Sequence, residues 1–241
     1  MLLLETAECI LNDIQYNESG RLRADICIII GIIDDMTGIS KKVDSLSRRK
    51  VALQIRKTQQ LSKEIGNAKK DPNDEILRYN AESDYGCALL QWNRWREAEP
   101  LFATCFSKYQ EWDPVEEALP FEFGKYYNHT AMVRMYQGRL DEAATMCDRA
   151  VKLMSLTSDS ASSNQTFRYR YNLACIILQA GDLDLALKMH EEVLEARKKY
   201  LGRANSQTLD SFYAVGAMHD HLGELREAEY VPISSCMKYL C

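Results

Sequence analysis

The sequence predicts an all-α fold, a right-handed superhelical solenoid of antiparallel helix pairs, about five repeat units long. Three observations predict it. The segments REAEPLF (Arg96 to Phe102), DEAATMC (Asp141 to Cys147), DLALKMH (Asp184 to His190) and REAEYVP (Arg226 to Pro232) align on alanines 98, 143, 186 and 228, which stand 45, 43 and 42 residues apart. Apolar residues keep helical spacing, as in Leu173, Ile176, Ile177, Leu183, Ala186, Leu187, Val193 and Leu194, and no run alternates with period two. With 46% hydrophobic residues and five prolines in 241, the chain can bury a sizeable core.

The landmarks recur in a fixed frame. Five residues before each alanine comes a turn position, Asn93, Gly138, Gly181 or Gly223, and seven before that a small residue, Gly86, Ala131, Ala174 or Gly216. Glycine and asparagine are the residues that accept a left-handed turn. The frame therefore describes a helix A carrying one small residue, a short reversal, and a helix B whose alanine crosses helix A closely. A larger side chain at either contact would force the helices apart, at a cost of about 1 to 3 kcal/mol.

From the N-terminus, LLLETAECILNDI reads as a lone helix B. The next unit, ADICIIIGIIDDMTGISKK and onward, keeps Gly31 and Gly38 seven apart but has Val43 where an alanine belongs, and its ALQIR segment at Ala52 falls two residues late, so helix B carries an insertion. SRRKVALQIRK (Ser47 to Lys57) sets basic side chains at 48, 49, 50, 56 and 57 around Val51, Leu53 and Ile55, which predicts a helix with one wet face. Residues 1–70 are thus degenerate repeats, a lone helix plus one irregular pair. NAKKDPND (Asn67 to Asp74) reads as a polar inter-unit loop, and residues 71–241 as four regular pairs. TSDSASSN (Thr157 to Asn164) reads as a second polar loop. In the last unit Pro232 falls inside helix B, which predicts a truncated or kinked end there. That uncapped end is a candidate for self-association.

RYNLACIILQAGDLDLALKMHEEVLEARKKYLG and TLDSFYAVGAMHDHLGELREAEY resemble tetratricopeptide repeats, specifically the longer type of about 42 residues found in kinesin light chains, down to the LG and TL that link one unit to the next. The resemblance covers residues about 74 to 230. Together with PFEFGKYYNHTAMVRMYQGRLDEA, the chain also resembles the C-terminal repeat region of fungal proteins in which such solenoids follow a NACHT or similar signal-transduction NTPase module. This implies a non-catalytic protein-interaction scaffold that binds a peptide or partner helix in a concave groove, as the sensor or scaffold arm of such an NTPase. The alternative is a free-standing adaptor of the light-chain type that recruits a cargo or enzyme. The paired lysine and asparagine with which chaperone-binding repeats hold a C-terminal carboxylate do not stand at the matching places.

Composition narrows the partners. Thirty basic against thirty-five acidic residues give a net charge of -5, which offers no general attraction to nucleic acid or anionic membrane. The eight cysteines never form C-x-x-C and mostly sit in apolar runs, which suits a reducing compartment. The opening MLLLETAEC lacks a basic start and meets acidic residues early, and the longest apolar run has eight residues against about 20 for a membrane span. A soluble cytoplasmic protein is expected, and the sequon at Asn128 falls in a packed helix.

Chemistry that would make an enzyme is missing from the pattern. There is no phosphate-cradling glycine loop, and so no nucleotide cofactor is expected. Asp34 with Asp35 and Glu116 with Glu117 are adjacent on helices and do not converge on one atom, and His219 and His221 point apart, so no metal is expected either. What remains is recognition through helix A. Counting from the turn, the groove-facing candidates are Lys125, Asn128, Met132 and Tyr136 in the second pair, Arg168, Tyr171, Asn172 and Gln179 in the third, and Tyr213 and Asp220 in the fourth, with Cys87 and Cys175 beside them. Asn128 and Asn172 would bond a ligand backbone, Lys125 and Arg168 would meet acidic groups, and the tyrosines and methionine would give adaptable apolar contact.

Overall fold

The computed structural model describes residues 24–31, 42–65, 72–157 and 160–221, and all regular structure among them is helical. The helices are α1 (24–31), α2 (Lys42–Ile65), α3 (Pro72–Gln91), α4 (Trp95–Trp112), α5 (Pro120–Tyr136), α6 (Leu140–Ser155), α7 (Ser160–Gln179), α8 (Leu183–Leu201) and α9 (Ser206–His221). The expected all-α helical repeat fold is observed. Two loops are shorter than the sequence suggested, because α3 already begins at Pro72 and α7 at Ser160. Proline is well tolerated in a first turn, where its missing N–H has no partner to lose. The expected lone N-terminal helix and the kink at Pro232 lie outside the described residues. The chain divides into two compact units, residues 1–105 and 106–241, each described by itself below.

The reversal between helices is built the same way three times. Asn93, Gly138 and Gly181 have φ of 57, 75 and 95°. The N–H of the following residue reaches back five positions, from Arg94 to Leu89 O at 2.9 Å, from Arg139 to Arg134 O at 2.9 Å and from Asp182 to Ile177 O at 3.2 Å. This is the left-handed C-terminal cap that satisfies the last carbonyls of a helix. The landmark alanine then closes the first bond of helix B: Ala98 N–H donates to Arg94 O, Ala143 N–H to Arg139 O and Ala186 N–H to Asp182 O. In α8 the Asp182 carboxylate also caps, accepting from Leu185 N–H at 3.1 Å.

Close crossing follows. Ala98, Ala131, Ala143, Ala174 and Ala186 are all fully buried. A Cβ placed on Gly86 would stand 2.6 Å from the Phe102 ring, so the glycine is required by contact, not by turn geometry. The α5–α6 pair is antiparallel: near one end Gly124 lies against Met154, and further along α5 Asn128 faces Cys147, earlier on α6.

Unit 1 departs from the expected wet-faced basic helix. In α2, Arg49 and Arg56 are buried with Ser45, Ala52 and Leu53, while Val51 is exposed. Arg56 is paired with Asp25 of α1, and Ser45 Oγ donates to Gly31 O at 3.1 Å. Towards α3, Lys57 pairs with the buried Glu82 at 3.1 Å, and Arg78 donates to Gln60 at 2.8 Å. Arg56 is buried against a carboxylate of the neighbouring helix that meets its charge, which a single-helix pattern does not reveal.

In unit 2, Phe106 stacks on Tyr126 at 4.1 Å, and Tyr109 meets Phe123 edge-on at 6.0 Å. The connection from α4 to α5 is held by carboxylates. Asp113 Oδ2 accepts from Ala118 and Leu119 N–H at 2.8 and 2.9 Å. Glu116, expected on a solvated helix face, sits instead in this loop with φ of 62° and binds Arg149 at 2.6 Å and the Tyr127 hydroxyl at 2.7 Å. Burial, together with that hydrogen bond to a carboxylate, pushes the Tyr127 phenol well above its ordinary range.

Ala186→Leu should lower the unfolding free energy by about 1 to 3 kcal/mol, because the α7–α8 crossing has no room for the added side chain. Urea titration followed by circular dichroism measures this, and an unchanged midpoint would contradict the close-crossing account.

Candidate functional site

Helices α5, α7 and α9 are the A helices of unit 2, and the expected groove residues lie along them. The structure separates these residues into two sets. Asn128, Met132, Tyr171, Asn172 and Tyr213 are buried, the two asparagines and the methionine completely. Lys125, Tyr136 and Arg168 are half-buried, and Gln179 and Asp220 are exposed. The first set therefore joins helices, and the second offers side chains to solvent.

The asparagines are the plainest correction. Asn172 Nδ2 donates to Asn128 Oδ1 at 2.9 Å, which ties α7 to α5 past the intervening α6, and the Cys147 thiol of α6 approaches the same oxygen at 3.9 Å. Asn128 Nδ2 and Asn172 Oδ1 are buried without another partner among the described residues. Neither amide is exposed to solvent. Alignment obscured this pairing, because Asn128 stands ten residues before its turn glycine and Asn172 nine. Complete burial within α5 also places the Asn128 sequon out of reach of glycosylation.

The accessible set is cationic toward α5 and α7. Lys125 Nζ lies 5.8 Å from the Phe121 ring centre and the Arg168 guanidinium 5.6 Å from that of Tyr169. Asp220 is exposed on α9, while its neighbour His219 is buried with Nε2 3.6 Å from Glu191 of α8. Asp210, also on α9, is held above its ordinary carboxylate range by burial, with the Arg197 cation opposing. Among the described residues no three His, Cys, Asp or Glu side chains converge to hold a metal.

Two residues on helix B escaped the sequence reading. Arg197 of α8 is buried, lies 4.9 Å over the Tyr171 ring of α7, and donates to Gln207 O and Ser211 Oγ of α9, both at 2.8 Å. One side chain thus joins three consecutive helices. Burial pulls its guanidinium below its usual range. His190, also on α8, is buried with its ring edge-on to Tyr171 at 4.8 Å and its Nε2 3.9 Å from Cys175 Sγ. Burial first, and then the Arg197 cation, lowers its pKa to about 4. Their signal was positional. His190 stands four residues after the landmark alanine, where Phe102 and Cys147 stand in the preceding pairs, and in these three pairs the position lies against helix A.

With that geometry established, the chain can be set beside known proteins. A tetratricopeptide-repeat model matches residues 165–231. The matched stretch spans α7 to α9, where the turn glycine, the crossing alanines and Arg197 all occur. No curated protein matches the chain significantly. Among solved structures, BtubC (BKLC) from P. vanneervenii is similar at 17% identity, over 94% of this chain and 82% of that one, with a TM-score of 0.60. A Podosopora anserina protein of nearly identical TPR-like repeats, described as a putative kinesin light chain, is similar at 15% identity over 89% and 92% of the two chains, with a TM-score of 0.54. A variant of that protein with one glutamine replaced by methionine gives 0.55 over the same shares. At these identities the similarity establishes the repeat fold. No described helix is long and apolar enough to cross a membrane.

His190 makes stability depend on pH. The unfolded chain takes up a proton on this imidazole near pH 6.5 and the folded chain only near pH 4. Between those values the unfolded state holds more protons, so stability is greatest above 6.5 and falls with pH, by up to about 3 kcal/mol in all. His190→Phe should flatten that part of the profile. Urea midpoints at several pH values for both proteins measure the difference, and parallel profiles would refute the assignment.

Proposed function

We propose that the chain is a non-catalytic protein-interaction scaffold that holds a short peptide or partner helix against its A-helix face. One observation carries this reading. The described hairpins bury their crossing alanines and both asparagines, yet leave Lys125, Tyr136, Arg168, Gln179 and Asp220 partly or wholly accessible along α5, α7 and α9. Stacked helix pairs commonly present such a face to an extended ligand. Side-chain contact is the recognition mode, since the buried amides of Asn128 and Asn172 are not offered to a ligand backbone. Cations toward α5 and α7 and Asp220 on α9 suit a ligand of mixed charge, acidic at one end.

The resemblance to fungal repeat proteins supports placing this scaffold in the cytoplasm as the sensor or scaffold arm of a signalling NTPase. A second reading, an adaptor that recruits a cargo or enzyme, is favoured by the similarity to a structure described as a putative kinesin light chain. Genomic sequence upstream of Met1 separates them. A phosphate-binding loop encoded there favours the first, and an in-frame stop favours the second.

Lys125→Glu combined with Arg168→Glu should leave the circular dichroism spectrum and urea midpoint near wild type while removing the specific partners from an affinity pulldown. Identical pulldown profiles for the two proteins would refute the assignment of this face.

A further inference from the structure

Cysteines in this fold occupy two different environments. Cys105 and Cys147 are fully buried, and their thiols donate to Tyr79 O and Tyr169 O, each at 3.3 Å. Burial pushes the Cys147 thiol far above its ordinary range, so it stays protonated and unreactive. Cys87 of α3 and Cys175 of α7 are only half-buried. Both stand one residue after the small landmark of their helix A, so they are equivalent in the repeat.

Their neighbours are not equivalent. Opposite Cys175, helix B supplies His190, with Nε2 at 3.9 Å from the sulfur, and Arg197, which interacts electrostatically with the same thiol. Alignment of the repeats puts Phe102 where His190 stands and Tyr109 where Arg197 stands in the unit of Cys87. The two polar side chains beside Cys175 each have a buried nitrogen without a partner among the described residues, Nδ1 of His190 and Nε of Arg197. The pair therefore has unused hydrogen-bonding capacity. Titratable and charged groups that act on or beside this thiol include Cys147 from α6 and His190 and Arg197 from α8, and Arg197 is itself influenced by Tyr171 and Arg168 of α7 and Asp210 of α9.

We propose that Cys175 is a modification site, a thiol made reactive toward hydroperoxides by His190 and Arg197 in a place where the equivalent Cys87 is not. A thiolate, not a thiol, attacks, and a nearby guanidinium stabilises it. The Cys175 thiolate sulfur attacks the distal oxygen of the hydroperoxide. An S–O bond forms as the O–O bond breaks, hydroxide or alkoxide leaves and takes a proton from solvent, and the sulfur is oxidised to sulfenic acid while the peroxide is reduced. Neutral His190 hydrogen-bonds the sulfur, and Arg197 offsets its charge. The inference does not depend on the binding role of the A-helix face, because it concerns the chemistry of one thiol.

The test uses the whole protein with hydrogen peroxide and dimedone, which traps sulfenic acid, and reads the adduct at each cysteine by peptide mass spectrometry. In wild type Cys175 should be trapped about tenfold faster than Cys87 near neutral pH, and iodoacetamide alkylation should titrate at lower pH for Cys175 than for Cys87. His190→Phe, which reproduces the neighbour of Cys87, and Arg197→Met should each bring the Cys175 rate down toward that of Cys87. Equal rates and equal pH midpoints for the two cysteines in wild type would overturn the proposal, and that comparison requires no variant to fold.

Discussion

The three described helix pairs α3–α4, α5–α6 and α7–α8 depend on how closely two helices can approach across a reversal of three residues. The reversal needs a left-handed residue, supplied by asparagine once and glycine twice in the described pairs. The approach needs nothing larger than a methyl group on helix A, where Gly86, Ala131 and Ala174 stand, and a methyl group on helix B. When both conditions hold, the caps close, the alanines disappear from solvent, and side chains four residues further along helix B are forced against helix A. Phe102, Cys147 and His190 occupy that forced position in turn. Phe102 fills the space left by Gly86, Cys147 reaches Asn128, and His190 reaches Cys175 and Tyr171. A shared backbone thus delivers a ring, a thiol and an imidazole to the same slot.

This explains how unevenly the sequence could be read. The crossing landmarks were legible because close contact excludes large side chains, and an exclusion leaves a periodic trace even when no residue repeats identically. Polar residues leave no such trace. Asn128 and Asn172 look like ligand contacts because asparagine is usually solvated, but each finds its partner about a full repeat away. Arg49 and Arg56 look like a wet face for the same reason, yet both are buried, Arg56 against Asp25 of α1. Glu116 shows the third kind of failure. Nothing local marks it for a left-handed conformation, which is held by Arg149 and Tyr127 from two later helices.

Of the charged residues expected on this face, Lys125 and Arg168 are half-buried and Asp220 is exposed, whereas Asn128 and Asn172 are spent on joining neighbouring A helices. A helix face inside a stack is not uniform along its length. Part of it is an interface with the next repeat, as at Asn128 and Asn172, and part keeps solvent exposure, as at Gln179 and Asp220. Counting residues from a turn locates the face but not the boundary between these two uses.

The joints between repeats are individually different, and this has a consequence for how such a chain can change. The α5–α7 joint is an amide pair, and the α7–α8–α9 joint is an arginine reaching Gln207 and Ser211. A duplicated or transplanted helix pair would arrive with the wrong fitting on at least one side, stranding an amide or a guanidinium inside the stack. Growth of this array by simple copying is therefore hindered at its seams, and each pair carries, in one or two buried polar atoms, the address of the neighbour it belongs beside.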